Sequence, residues 1–92
     1  MKLMPITNGG ISKLVEECGE LQQELGKFLT YGMDQPHPDG KGPLRPRIEN
    51  EIADVMAACL FVTEKHKLDE NKINDRMLQK IELFKSWDKR EP

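Results

Sequence analysis

Apolar side chains recur every three or four residues along three stretches of the chain. In the first, Ile11, Leu14, Val15, Cys18, Leu21, Leu25, Phe28 and Leu29 keep the helical period and predict a helix over 11–29. Ser12 or Thr7 offers a cap, Asn8-Gly9-Gly10 breaks anything earlier, and Tyr31-Gly32 offers a stop. In the second, Ile48, Ile52, Val55, Met56, Cys59, Leu60 and Val62 predict a helix over 47–66. Pro46 suits its first turn, where a missing N–H does no harm. Ala53, Ala57 and Ala58 leave another side of this helix thin, so that a neighbouring helix can approach closely. In the third, Ile73, Met77, Ile81, Phe84 and Trp87 predict a helix over 69–89, with Asp69 as N-cap and Glu70 in the first turn. No strand-like alternation competes. Residues 30–46 hold Gly32, Pro36, Pro38, Gly40, Gly42, Pro43 and Pro46, which exclude a regular helix or a central strand. So long a connection is either a lid over a site or a loose hairpin link.

These elements predict an all-α fold: a single domain over 1–92, built as an antiparallel helical bundle of three main helices. Three helices do not close a groove, and the usual completion is a fourth helix or a partner that lends one. A homodimer at least is therefore expected, with a homotetramer as the alternative. At 92 residues the chain supports one core and no separate catalytic lobe. The net charge of −2 argues against a nucleic-acid binder, which needs clustered, uncompensated positive charge. No apolar run approaches the roughly 20 residues of a membrane span. The opening Met1-Lys2-Leu3-Met4-Pro5 lacks the apolar core of a secretory signal, so a cytoplasmic protein is expected. Cys18 and Cys59 fall on apolar stripes and are expected as reduced core thiols rather than a disulfide.

The acidic residues are where chemistry is to be sought. At about 100° per residue, with Glu16 at zero, Glu20 falls near 40°, Glu24 near 80° and Glu17 near 100°. The apolar stripe occupies roughly 120° to 260° of the same wheel, so four carboxylates crowd one sector beside the core. Along this helix only Lys13 and Lys27 offset them. On the second helix Glu51 touches the edge of the apolar stripe, and Asp54, three residues on, can reach the same point off the helix. Two antiparallel helices can set Glu17 and Glu20 opposite Glu51 and Asp54. Carboxylates facing one another repel more strongly as water is excluded, and a divalent cation resolves the conflict. An all-oxygen donor set selects a hard ion, Mg²⁺ or Mn²⁺, over zinc. The Glu-x-x-His pairs of di-iron carboxylate bundles are missing, with His37 and His66 lying elsewhere. The competing reading is an acidic face that is only solvated or binds a basic partner, in a non-catalytic helical interaction module.

Glu16-Glu17-Cys18-Gly19-Glu20-Leu21 followed by Glu51-Ile52-Ala53-Asp54-Val55 resembles the MazG-like branch of the all-α nucleoside triphosphate pyrophosphohydrolases. That family carries EExxE on one helix, a loop, then ExxD on the next, and the resemblance spans roughly residues 11–88. The thirty residues between Glu20 and Glu51 are somewhat long for it, the excess lying in the loop. The resemblance implies cleavage between the α- and β-phosphates of a (deoxy)nucleoside triphosphate, giving a monophosphate and pyrophosphate, in house-cleaning or nucleotide-pool control. It implies that Glu17, Glu20, Glu51 and Asp54 ligate Mg²⁺, and that Glu16 ligates a second ion or orients the attacking water. Basic residues on the following helix would hold the substrate; Arg76, Lys80 and Lys85 are the candidates, the first two sharing a face. Phe84 stands where many relatives have Asn, a departure that bears on substrate contacts. A phosphoribosyl-ATP pyrophosphohydrolase is the alternative within the family. Trp87 is expected in the core or at a dimer interface, and His37 as a loop residue.

Overall fold

A computed structural model describes residues 8–88. Among them, a 3₁₀ turn over Asn8–Gly10 leads into α1 (Ile11–Tyr31), α2 (Leu44–Lys65) and α3 (Glu70–Trp87), with no strand. All three predicted helices are present, with shifted ends. Helix α1 runs two residues further than predicted, to the Gly32 stop, where the Gly32 N–H donates to the Phe28 carbonyl at 2.8 Å and φ is 76°. Neither Ser12 nor Thr7 is seen as its cap. Gly10 occupies that position in a left-handed conformation, Ser12 lies inside the helix, and Thr7 lies outside the described residues.

The larger difference is at α2, which begins at Leu44 and not at 47. Leu44 is fully buried, and burying it draws the Pro-rich segment into helical geometry three residues early. Pro43 caps the start in an extended conformation, and Pro46 stands at the third position, still within the turn whose N–H groups have no helical partner. The connection therefore shrinks to residues 32–43. It is tied down, not loose: the Arg45 N–H donates to the Met33 carbonyl, and the Arg45 guanidinium forks onto both oxygens of Asp34 at 2.8 Å.

Contacts along α1 and α2 fix an antiparallel pair. The turn before α1 meets the end of α2, where His66 Nε2 lies 2.8 Å from the Asn8 carbonyl oxygen. Gly10 packs so tightly there that a Cβ would stand 2.5 Å from Phe61 Cδ2, and its φ of 94° also favours glycine. The pair closes over Leu44, Ile48, Ala58 and Val62, the buried hydrophobic residues among those described. Ala58 fulfils the expectation of a thin side against a neighbouring helix; Ala53 and Ala57 are exposed.

Helix α3 starts as its sequence predicts, with Asp69 accepting from the Lys72 N–H at 3.0 Å and Glu70 in the first turn. It ends at Trp87, short of the predicted 89, which lies outside the described residues. Lys67, at φ 53°, turns the chain between α2 and α3. Beyond that turn α3 departs from the pair and packs extensively on neither helix. Cys18 and Cys59, expected in the core, are both exposed free thiols, because the faces that carry them have no partner within the chain. No described helix is long and apolar enough to cross a membrane.

Candidate metal centre

The antiparallel register brings the acidic sector of α1 against that of α2. Glu17, Glu51 and Asp54 each place a carboxylate oxygen within 4.8 Å of the others. Glu20 acts on Glu17 through a hydrogen bond and through charge, and on Glu51 through charge, so it stands at the same cluster. The four residues expected to converge from two helices are thus brought together. Glu16, the fifth acidic candidate, is occupied differently: Lys13 Nζ donates to its Oε1 at 2.7 Å, one turn back along α1.

The cluster is half-buried, and that is the source of its tension. Glu17 Oε1 and Glu51 Oε1 are each shielded from solvent without a hydrogen-bond partner. A carboxylate oxygen left that way costs about 1–3 kcal/mol, more if charged. Burial pushes the Glu17 carboxyl above its usual range, helped by its hydrogen bond to Glu20 and the charges of Glu20 and Asp54, while Lys13 pulls the other way. Burial likewise pushes Glu51 up, with the charges of Glu20, Asp54 and Glu24 adding to it. Oxygens that lack donors, among charges of one sign, fit a hard divalent cation, whose preference is for carboxylate ligands.

One turn toward the loop the same rail changes character. Arg47 Nε donates to Glu24 Oε1 at 2.9 Å, and its Nη2 lies 2.8 Å from both Glu24 Oε1 and Asp39 Oδ2. Lys27 bridges the same two carboxylates at 3.2 and 3.3 Å. The Arg47 guanidinium first, then the Lys41 N–H, Lys27 and His37, hold the Asp39 carboxyl far below the ordinary carboxylate range against a smaller burial effect. The His37 ring packs edge-on to Tyr31 at 4.6 Å, a loop residue as expected. This network clamps the Pro-rich connection onto both helices. Sequence reading missed it; Arg47, four residues before Glu51, was legible as a neighbour of the acidic face, but a partner in an irregular loop was not.

The basic candidates on α3 are not brought to the carboxylates of their own chain. Lys80 Nζ lies over the rings of Phe84 and Trp87, at 5.2 and 5.8 Å, so these aromatic residues are met by a cation. Lys85 pairs loosely with Glu82 at 3.8 Å on an exposed face. Arg76 borders shallow surface grooves together with other α3 residues such as Gln79.

The shifts have a sign that can be tested. Groups raised above the ordinary 4.5, as Glu17 and Glu51 are, favour folding when neutral; that contribution is full below pH 4.5 and is lost as pH rises through the raised values. Asp39 works in the opposite sense: its contribution is present above the ordinary 3.8 and is lost as pH falls through its much lower folded value. Metal-free protein is therefore expected to melt higher near pH 5 than near pH 7.5, and Mg²⁺ should reverse that order. Scanning calorimetry at the two pH values, with and without Mg²⁺, checks it; an order indifferent to Mg²⁺ counts against the cluster as a cation site.

No family model, no curated protein and no solved structure matches this chain.

Proposed function

We propose that this chain is a Mg²⁺-dependent nucleotide pyrophosphohydrolase, which cleaves a (deoxy)nucleoside triphosphate to the monophosphate and pyrophosphate and serves in house-cleaning or nucleotide-pool control. The observation that carries the reading is the meeting of Glu17, Glu51 and Asp54 from two helices, with two shielded oxygens that lack a donor. These are residues of the EExxE and ExxD pair on which the resemblance to MazG-like enzymes rests.

Glu17, Glu20, Glu51 and Asp54 would hold Mg²⁺, with Mn²⁺ as a substitute. When bound, the ion supplies charge neutralisation for the phosphates and makes water more acidic. The chain's own part is to hold and orient. The two helices fix the carboxylates on opposing rods, the Arg47 clamp keeps the rods in register, and Glu16 holds Lys13 at the edge of the cluster, where its ammonium faces incoming phosphate. Little covalent work falls to the protein in phosphoryl chemistry of this kind. Because α3 leaves the pair, Arg76, Lys80 and Lys85 would serve the site of a neighbouring subunit in a homodimer or homotetramer, with the helices of two chains completing the bundle.

The test is pyrophosphate release across canonical NTPs and dNTPs, modified dNTPs and phosphoribosyl-ATP, with Mg²⁺ or Mn²⁺. Turnover of at least one, lost in Glu20→Gln and Asp54→Asn, is the expected result. No turnover across the panel assigns the acidic face to a non-catalytic module instead. Turnover of phosphoribosyl-ATP alone assigns the chain to histidine synthesis.

A further inference from the structure

The carboxylate cluster opens on one side into a cavity of about 250 Å³. Glu17 and Asp54 are shared between cluster and cavity, Lys13 stands at the rim, and Gly10, Ala57, Ala58 and Phe61 make the wall. Resting on the nucleotide reading above, we propose that this cavity receives the base of the nucleotide and accepts all four bases alike.

Polarity along the rail places the base. Toward the loop, Glu24, Lys27, Asp39 and Arg47 satisfy one another and close the groove with charge. Toward the Asn8–Gly10 turn the rail ends in methyl groups and one aromatic ring. A triphosphate held at the carboxylates thus has an ionic end and an apolar end to choose between, and an uncharged, flat ring belongs at the second.

Size agrees. Pockets that take a whole drug-sized ligand run about 300–1,000 Å³. A cavity of about 250 Å³ takes a fragment, and the charged remainder stays outside against the carboxylates. Two local features keep the space open. Ala57 is exposed and lies between the cluster and Phe61, so any longer side chain there fills the cavity. Gly10 lets Phe61 lie flush against the turn, since a Cβ would meet the ring at 2.5 Å and push it inward.

Tolerance follows from the wall's chemistry. A site discriminates strongly when buried polar groups would be stranded by the wrong ligand, and weakly when it offers only apolar surface. The side chains of Ala57, Ala58 and Phe61 have no donor or acceptor with which to read a base edge. Every base has a flat face that such a wall accepts. The polar groups at the mouth are engaged elsewhere: Lys13 with Glu16, and Glu17 and Asp54 with the cluster.

Calorimetric titration in Mg²⁺ tests this with five probes: the α,β-methylene analogues of dATP, dGTP, dCTP and dTTP, and inorganic tripolyphosphate. The analogues are expected to bind within about tenfold of one another. Tripolyphosphate, having no base, should bind at least about tenfold more weakly. Ala57→Leu should bring the analogues down to the level of tripolyphosphate and leave tripolyphosphate itself unmoved, while Ala57→Ser binds as the parent does. Ala57→Val makes the same comparison if Ala57→Leu melts early. One analogue favoured more than about 100-fold overturns the tolerance. Equal weakening of all five probes, or no weakening of the analogues, overturns the cavity assignment, and so does failure of all five to bind. Mn²⁺ titration followed by electron paramagnetic resonance then separates the two readings: bound Mn²⁺ leaves the carboxylate site standing, and unbound Mn²⁺ removes that site as well.

Discussion

Glu51→Gln is expected to abolish Mg²⁺-dependent turnover and, in the same protein, to raise the melting temperature of the metal-free state. Both effects have one cause. Glu51 Oε1 is shielded without a partner, and burial, with the charges of Glu20, Asp54 and Glu24, holds its carboxyl above the usual range. The amide removes one negative charge and brings an N–H₂ that can donate to Glu20 or Asp54. Relief of a partly solvated like-charge contact is worth up to about 1 kcal/mol, or about 4–8 °C in a domain of this size. Cation affinity moves the other way. Changing an outer-shell partner costs about 10–100-fold, and removing a ligand should cost more than that. Added Mg²⁺ should therefore stabilise the parent by RT ln(1 + [L]/Kd) and leave the variant unmoved, so that the two melting curves cross as Mg²⁺ is raised. Differential scanning calorimetry over a Mg²⁺ series, with pyrophosphate release measured alongside, reads both. A variant that loses stability and still binds Mn²⁺ would remove the cluster from the mechanism.

Sequence periodicity placed the helices and, through the wheel positions of Glu17, Glu20, Glu51 and Asp54, the cluster. Those predictions rest on local geometry: residues three or four apart share a face whatever the tertiary context. What escaped was decided by contacts distant in the chain. Leu44 looks like a loop residue between Pro43 and Arg45-Pro46, and only its burial against the helix pair makes it the first residue of α2. Asp39 finds Arg47 and Lys27 across an irregular turn whose path no periodicity encodes. The two cysteines mark a different limit. An apolar stripe says that a face seeks cover, and Cys18 and Cys59 lie exposed because their stripes are not covered within one chain. The same holds for α1, whose period is clear and which buries no residue fully.

Those uncovered stripes lead to the second large effect: Leu60→Glu or Phe84→Glu should convert an oligomer into monomers that melt early and lack activity. The described part of the chain is a slab whose extents are 41 × 40 × 15 Å. A helix with its side chains is about 10–12 Å across, so the slab is one layer of helices thick. Stable domains bury apolar faces between two layers or more. The accessible surface is 7557 Å², where a compact monomer of this mass would show about 5,500 Å². The excess is of the order buried in a standard interface, about 1,600 Å² in all. Val15, Met56 and Leu60, at 67%, 61% and 71% exposure, and Met77, Phe84 and Trp87 on α3, at 50%, 53% and 63%, supply the apolar part of it. Four buried hydrophobic residues among those described cannot offset the conformational entropy of so many ordered residues. A second layer from another copy supplies the missing core, and it would also carry Arg76 and Lys80 toward carboxylates that their own chain leaves beyond reach. Since Leu60 and Phe84 are exposed within the chain, a carboxylate at either position costs little in the isolated subunit and much in an interface. Sedimentation velocity should find the parent at twice the 10.6 kDa chain mass or more and the variants at that mass. A parent that sediments as a monomer at micromolar concentration, fully folded and active, would show that a single layer suffices and that the site needs no second copy.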